Sequence, residues 1–219
     1  MNWTLPNILT VLRLLAAPAV LLVFVVLPRP WADWTAVVLF IGGSLTDWVD
    51  GHLARSWNQQ TKLGTMLDPI ADKAMVIIAL AAVMGLNGMS GMIVIPATVI
   101  LFREVFVSGL REYLGDTAGT LKVTKLAKWK TTIQMVAIAI LLLHGVFEQN
   151  VDLLVSGMRK DVARDVLAGL VRDDSGLTIM NRAMILTWFG GVACLWLAAV
   201  LTAITGWDYF NKALPYLKD

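Results

Sequence analysis

The chain has 219 residues, 58% of them hydrophobic and only 16% charged, with a net charge of +2 and one cysteine. Soluble domains carry roughly a quarter charged residues, so the composition excludes an ordinary soluble protein, and the small net charge leaves no electrostatic footprint for nucleic acid. Cys194 has no possible partner, which excludes a disulfide framework and leaves it a packing residue in an apolar run.

Six apolar segments approach the ~20 residues that a helix needs to cross a bilayer. They cover about Ile8–Leu27, Trp31–Leu53, Asp68–Leu86, Met92–Leu114, Lys128–Val146 and Ala183–Thr205. The expected fold is an all-α integral membrane protein with six transmembrane helices and a short N-terminal juxtamembrane segment, organised as a single domain over residues 1–219. The first span has no basic residue before Arg13, and Ala16 to Ala19 lead into further apolar sequence. It therefore reads as a retained span, not a cleaved signal peptide. Pro28, Arg29 and Pro30 predict a tight turn after it, and Asn87 to Gly91 predict another between the third and fourth spans.

Between the fifth and sixth spans lies an extramembrane insertion, about residues 148–180. Its stretch from Val151 to Leu170 repeats apolar residues at helical spacing but is too polar to span. It predicts an amphipathic helix lying at the interface, with a loosely ordered loop as the alternative. Six spans place both termini on one side, together with Arg55, Lys62, Arg111, Lys122, Lys125, Lys128, Lys130, Lys212 and Lys218. The other side holds Arg29 and the segment from Glu148 to Arg182, which balances five basic residues against six acidic ones. The bias orients both termini towards the cytoplasm, in the inner (cytoplasmic) membrane of the cell. Trp31, Trp34, Trp57, Trp129 and Trp207 fall near span ends, where indole rings anchor at the interface.

Against this apolar background, the second and third spans carry four aspartates. Asp47 and Asp50 are three apart, and Asp68 and Asp72 are four apart. Each pair shares a helix face. Ionisable groups beside membrane helices are costly and mark function. Two helices that each offer two carboxylates can build one oxygen-rich cage, which suits Mg²⁺, Mn²⁺ or Ca²⁺. The bland alternative is helix-end carboxylates that only cap or snorkel. A carboxylate-lined cation transporter is a further reading, but it calls for polar residues in the outer halves of spans two and three, which are apolar apart from Thr35.

The full run, Asp47, Asp50, Gly51, Ala54, Arg55, then Gly64, Asp68 and Asp72, resembles the signature of the CDP-alcohol phosphotransferases, membrane enzymes that join a CDP-activated alcohol to a second alcohol and release CMP. The resemblance implies that Asp47, Asp50, Asp68 and Asp72 hold Mg²⁺ or Mn²⁺, two ions in number. It implies Asp72 as general base, and a CDP pocket formed by Asp47, Gly51, Ala54, Arg55 and Gly64. Small residues at these positions serve equally in close helix packing. His52 matches no signature position, and His144 reads as an ordinary residue.

The acceptor is addressed by a second block. Arg103 sits among Ile100, Leu101, Phe102, Val105 and Phe106, with Arg111 two turns on and Lys122 and Lys125 beyond. An arginine in apolar surroundings needs an anion, and a phosphate suits its fork. Glu104, adjacent in sequence, is read as facing elsewhere, with Glu112 or an aspartate as the alternative partner. The lysines read equally as headgroup binders. Residues 103–112 and 122–135, with Pro6 to Arg13, Pro18 and Trp57 to Gln59, resemble the branch of the family whose acceptor is sn-glycerol 3-phosphate, the phosphatidylglycerophosphate synthases. That branch implies CDP-diacylglycerol as donor, contact with membrane lipids and a homodimer, with Arg103, Arg111, Lys122 and Lys125 on the acceptor phosphate. A departure is Ala127 before Lys128, where glycine is common. Family members with inositol phosphate, inositol, serine or phosphatidylglycerol as acceptor remain the alternative.

Overall fold

The computed structural model describes residues 4–56, 61–120 and 125–217, without the side chains at 47–56, 116, 118, 120, 125, 127 and 128. The helices are α1 (Leu5–Val26), α2 (Trp31–Ser56), α3 (Lys62–Leu86), α4 (Gly91–Leu114), α5 (Lys125–Ser156), α6 (Lys160–Leu167) and α7 (Leu177–Ala213). Short 3-10 turns follow α4 and α7.

Local chemistry sets several of the boundaries. Proline in the first turn of α1 lacks only a donor that would have no partner there. Leu27 precedes Pro28 and is extended, as the residue before proline prefers. Thr61 caps α3 by accepting from the Gly64 amide at 3.0 Å. Gly88 takes φ 58°, the left-handed value the turn after α3 requires.

Among the described residues, five helices are long and apolar enough to cross a membrane: α1, α3, α4, α5 from Trp129 onward, and α7. The count is five against the six expected: α2 is the sixth long helix, and it is not among the five. Asp33 in its first turn and Asp47 and Asp50 towards its end bound a short apolar middle. Several helices also run past their expected limits. The third begins at Lys62, the fifth continues to Ser156 and the last starts at Leu177. Hydropathy marks the bilayer-deep part of a helix, whereas backbone hydrogen bonding carries it on into polar sequence.

Helix α1 packs on α2 and α3, α2 also meets α5, and α7 packs along α5 and α4. Phe40, Met75, Leu80, Ile138, Leu141 and Leu195 are fully buried at the centre. Leu15, Val25, Val38, Phe102 and Leu186 point outward and exposed. So broad an apolar exterior is stable only in lipid.

The insertion is helical rather than a loose loop. Residues 151–156 extend α5, so the amphipathic helix is confined to α6 and is shorter than the sequence pattern suggested. Val151, Ala163, Val166 and Leu177 form a second small core against Met158, Met180 and Met184. The carboxylate of Asp173 starts α7, accepting from the amides of Gly176 at 2.8 Å and Thr178 at 2.7 Å. Those amides, that of Thr178 first, hold Asp173 well below the usual carboxylate range.

At the end where α1 turns into α2, Asp33 is fully buried. Arg29 grips it twice at 2.8 Å and donates to the Gly145 carbonyl of α5 at 3.0 Å. A Cβ on Gly145 would lie 2.9 Å from Asp33 Oδ1, so only glycine admits this contact. Removing one partner of a buried pair costs about 3–5 kcal/mol because the other charge is stranded. Arg29 is a third exposed, which discounts its share. Arg29→Ala is therefore expected to lower the melting temperature more than Asp33→Ala, with the double variant more stable than Arg29→Ala. Thermal unfolding in detergent checks the order; equal losses from both single variants would show that the buried aspartate does not depend on Arg29.

Candidate functional site

At the opposite end of the bundle, the first turns of α1 meet the start of α3. Thr10 and Arg13 are three apart and both 2% exposed. Asp68 and Asp72 are four apart on α3. The Thr10 hydroxyl donates to Asp68 Oδ1 at 2.8 Å, and Arg13 pairs with the half-exposed Asp72 carboxylate. One turn earlier, Thr61 Oγ1 donates to Asn7 Oδ1 at 2.8 Å. Three side chains of one α1 face thus reach the loop before α3 and its two carboxylates.

Asp47, Asp50, Gly51, Ala54 and Arg55 lie on the last turns of α2, which packs on both α1 and α3. Their side chains are outside the described residues. Among the described residues, no three acidic, histidine or cysteine side chains gather around one point. Asp68 and Asp72 are the described half of the carboxylate set, and their donors are all hard oxygens, which fits a divalent cation. Gly64 faces Asn7: a Cβ there would come within 2.7 Å of Asn7 Oδ1.

Beside Asp72 opens a cavity of about 300 Å³ between α3, α4 and α5. Asp72, Lys73, Arg103, Glu104, Arg111 and Lys130 line it. The structure therefore brings Asp72, Arg103 and Arg111 of the expected site to one space. Lys125 begins α5 with its side chain outside the described residues, and Lys122 lies outside them altogether.

Glu104 departs from the sequence reading. Its carboxylate lies 3.2 Å from Arg103 Nη1 and also takes the ammonium of Lys130, which is 5% exposed. Neighbours in a helix point about 100° apart, but a long guanidinium arm bends back across that angle. The Arg103 stem passes close to α7, where a Cβ on Gly206 would meet its Cγ at 2.9 Å. Arg111 lies over the Tyr209 ring of α7, 5.3 Å from its centre. His144 is buried, with Nδ1 3.1 Å from the Met184 carbonyl, in keeping with an ordinary packing role.

Thr10, Arg13, Lys73, Lys130 and Gln134 were not singled out as site residues in the sequence. For Thr10 and Arg13 a signal was present: two polar residues on one face of an otherwise apolar span need partners inside the protein.

A family model described as CDP-alcohol phosphatidyltransferase matches residues 3–204. A protein of Cereibacter sphaeroides named CDP-diacylglycerol--glycerol-3-phosphate 3-phosphatidyltransferase is 58% identical over 220 residues, covering 100% of this chain and 99% of its own. Proteins of the same name from Escherichia coli K12 and Shigella flexneri serotype 5b are each 40% identical over 144 residues, 65% of this chain and 78% of theirs.

The contact at Gly64 is testable by itself. Gly64→Ala must displace Asn7 and is expected to destabilise by about 1–3 kcal/mol, the usual cost of overpacking. Adding Asn7→Ala should recover part of that loss. A double-mutant cycle on melting temperature measures the coupling; strict additivity would mean that the two residues do not touch.

Proposed function

The chain belongs to the CDP-alcohol phosphatidyltransferase family, and from that premise we propose that it transfers the phosphatidyl group of CDP-diacylglycerol to sn-glycerol 3-phosphate, giving phosphatidylglycerophosphate and CMP. The observation that carries the reading is the single cavity in which the Asp72 carboxylate meets Arg103, Arg111, Lys73 and Lys130. Such a space has a place for a phosphate dianion and, at reach of a three-carbon chain, a carboxylate for a hydroxyl. The full-length relative bears the name of this reaction, which supports the same choice of acceptor.

The chemistry follows from those positions. The acceptor phosphate rests on Arg103 and Arg111, with Lys122 and Lys125 adding charge at the mouth. Its far hydroxyl lies at Asp72, which takes the proton as the oxygen attacks the phosphorus that bears the diacylglycerol. The bond from that phosphorus to the bridging oxygen breaks, and CMP leaves with the electron pair. Asp72 works as a base because the site positions the hydroxyl on it. Arg13 fixes where that carboxylate points, and Thr10 does the same for Asp68.

Asp47, Asp50, Asp68 and Asp72 would hold the divalent cations, Mg²⁺ or Mn²⁺ and two in number. When bound, such ions offset the pyrophosphate charge that repels an incoming hydroxyl. Gly51, Ala54, Arg55 and Gly64 form the cytidine diphosphate pocket in this reading. The whole chain acts as one catalytic domain, as a homodimer in the inner membrane. Both termini face the cytoplasm, supported by the basic residues at the site end and by the contacts of early α1 and late α7 with that end.

The test is CMP release by purified protein with CDP-diacylglycerol, Mg²⁺ or Mn²⁺ and a panel of alcohols. Glycerol 3-phosphate is expected to be the preferred acceptor, and EDTA to stop the reaction. Preference for inositol phosphate or serine would overturn the choice of acceptor, and full activity in EDTA would overturn the metal assignment. Arg103→Ala and Arg111→Ala should each raise the KM for glycerol 3-phosphate roughly tenfold or more, about one or two charge-assisted hydrogen bonds. The KM for CDP-diacylglycerol should change much less; a loss confined to the donor would move both arginines to the donor pocket. Asp72→Asn should keep donor binding and lose most turnover.

A further inference from the structure

Two residues that line this cavity each carry a buried polar atom with no hydrogen-bond partner among the described residues: Arg103 Nε, a donor, and Gln134 Oε1, an acceptor. Gln134 is 2% exposed and lies one turn beyond Lys130 on the face of α5 that lines the cavity. Leaving such an atom unpaired is costly. A ligand that satisfies both must present an acceptor near α4 and a donor near α5. A phosphate ester that carries a hydroxyl does both.

We propose that Gln134 reads the central hydroxyl of the acceptor, making it the residue that selects a hydroxylated three-carbon phosphate over its deoxy counterpart. The proposal rests on the function inferred above. The acceptor phosphate pairs with Arg103, the terminal hydroxyl goes to Asp72, and the carbon between them passes α5, where Thr131 and Gln134 close the wall. Apolar walls discriminate weakly against a missing hydroxyl. A site built to hydrogen-bond one rejects the analogue strongly, because its own polar atom is left unpaired.

The probe is 3-hydroxypropyl phosphate, which keeps the phosphate and the reacting hydroxyl and lacks the central one. Full-length protein in detergent, with CDP-diacylglycerol and divalent cation, is assayed for CMP release on both acceptors. The wild-type chain should show a KM for the analogue roughly tenfold or more above that for glycerol 3-phosphate. Gln134→Met, similar in shape but without the acceptor oxygen, should raise the KM for glycerol 3-phosphate to that of the analogue and move the analogue less than twofold. Gln134→Asn keeps the amide, withdraws it by one carbon, and should lose the same discrimination where Met disturbs packing; an unchanged KM for CDP-diacylglycerol confirms an intact fold. Equal KM increases for both acceptors, or undiminished discrimination in either variant, would overturn the proposal. A wild-type chain that does not use glycerol 3-phosphate at all would instead overturn the function on which it rests.

Discussion

A charge among apolar helices persists only if it is partnered, and in this chain that requirement joins the helices that carry the site. Asp68 and Asp72 on α3 sit against Thr10 and Arg13 of α1. Both α1 residues are buried in an apolar span and both meet α3 carboxylates, so sequence cost and structural benefit meet at the same contact. The relation is reciprocal. The carboxylates permit a buried arginine in α1, and the arginine keeps a carboxylate in place at the mouth of the cavity. Stranding the buried Arg13 would cost far more than stranding the half-exposed Asp72.

The same rule organises the cations of the cavity. Arg103 and Lys130 converge on one carboxylate, Glu104, which is 14% exposed. Like charges on α4 and α5 would otherwise push the helices apart. With Glu104 between them, the two cations are held together across the cavity while the net charge of the space stays positive, so an incoming dianion is still attracted. Gly206 completes the arrangement from α7, because its missing side chain gives the Arg103 stem room to pass. A preorganised set of this kind spends little on reordering when the ligand arrives.

What was legible in the sequence follows from the range of the interactions involved. The helices were legible because hydropathy is local, and the shared face of Asp68 and Asp72 because a four-residue spacing maps directly onto a helix face. Arg103 and Arg111 were legible because a cation in an apolar run demands an anion. The Glu104 contacts were not: adjacency in sequence suggested divergence, whereas the reach of a guanidinium and a lysine from another helix decided the matter. Thr10 and Arg13 announced a need for partners but not their identity, since residues some sixty positions apart are joined only by the fold. The insertion misled in another way. Its apolar repeat at 151–156 belongs to the end of α5, and only residues 160–167 form the separate amphipathic helix.

The two ends of the bundle are linked through α1. Near its start, α1 presents Asn7, Thr10 and Arg13 to α3; beyond its other end, Arg29 ties the turn to Asp33 and to the α5 carbonyl of Gly145. A helix fixed at both ends cannot slide or rotate in lipid, where apolar packing alone distinguishes poorly between registers because the surrounding tails are as apolar as the helices. Polar contacts therefore set the register that packing leaves loose. Rotation of α1 by one residue, about 100°, would take Arg13 off Asp72 and Thr10 off Asp68 together. The Arg29–Asp33 pair, with the Gly145 carbonyl, ties the turn after α1 to α2 and α5, and it does so with groups that take no part in the chemistry.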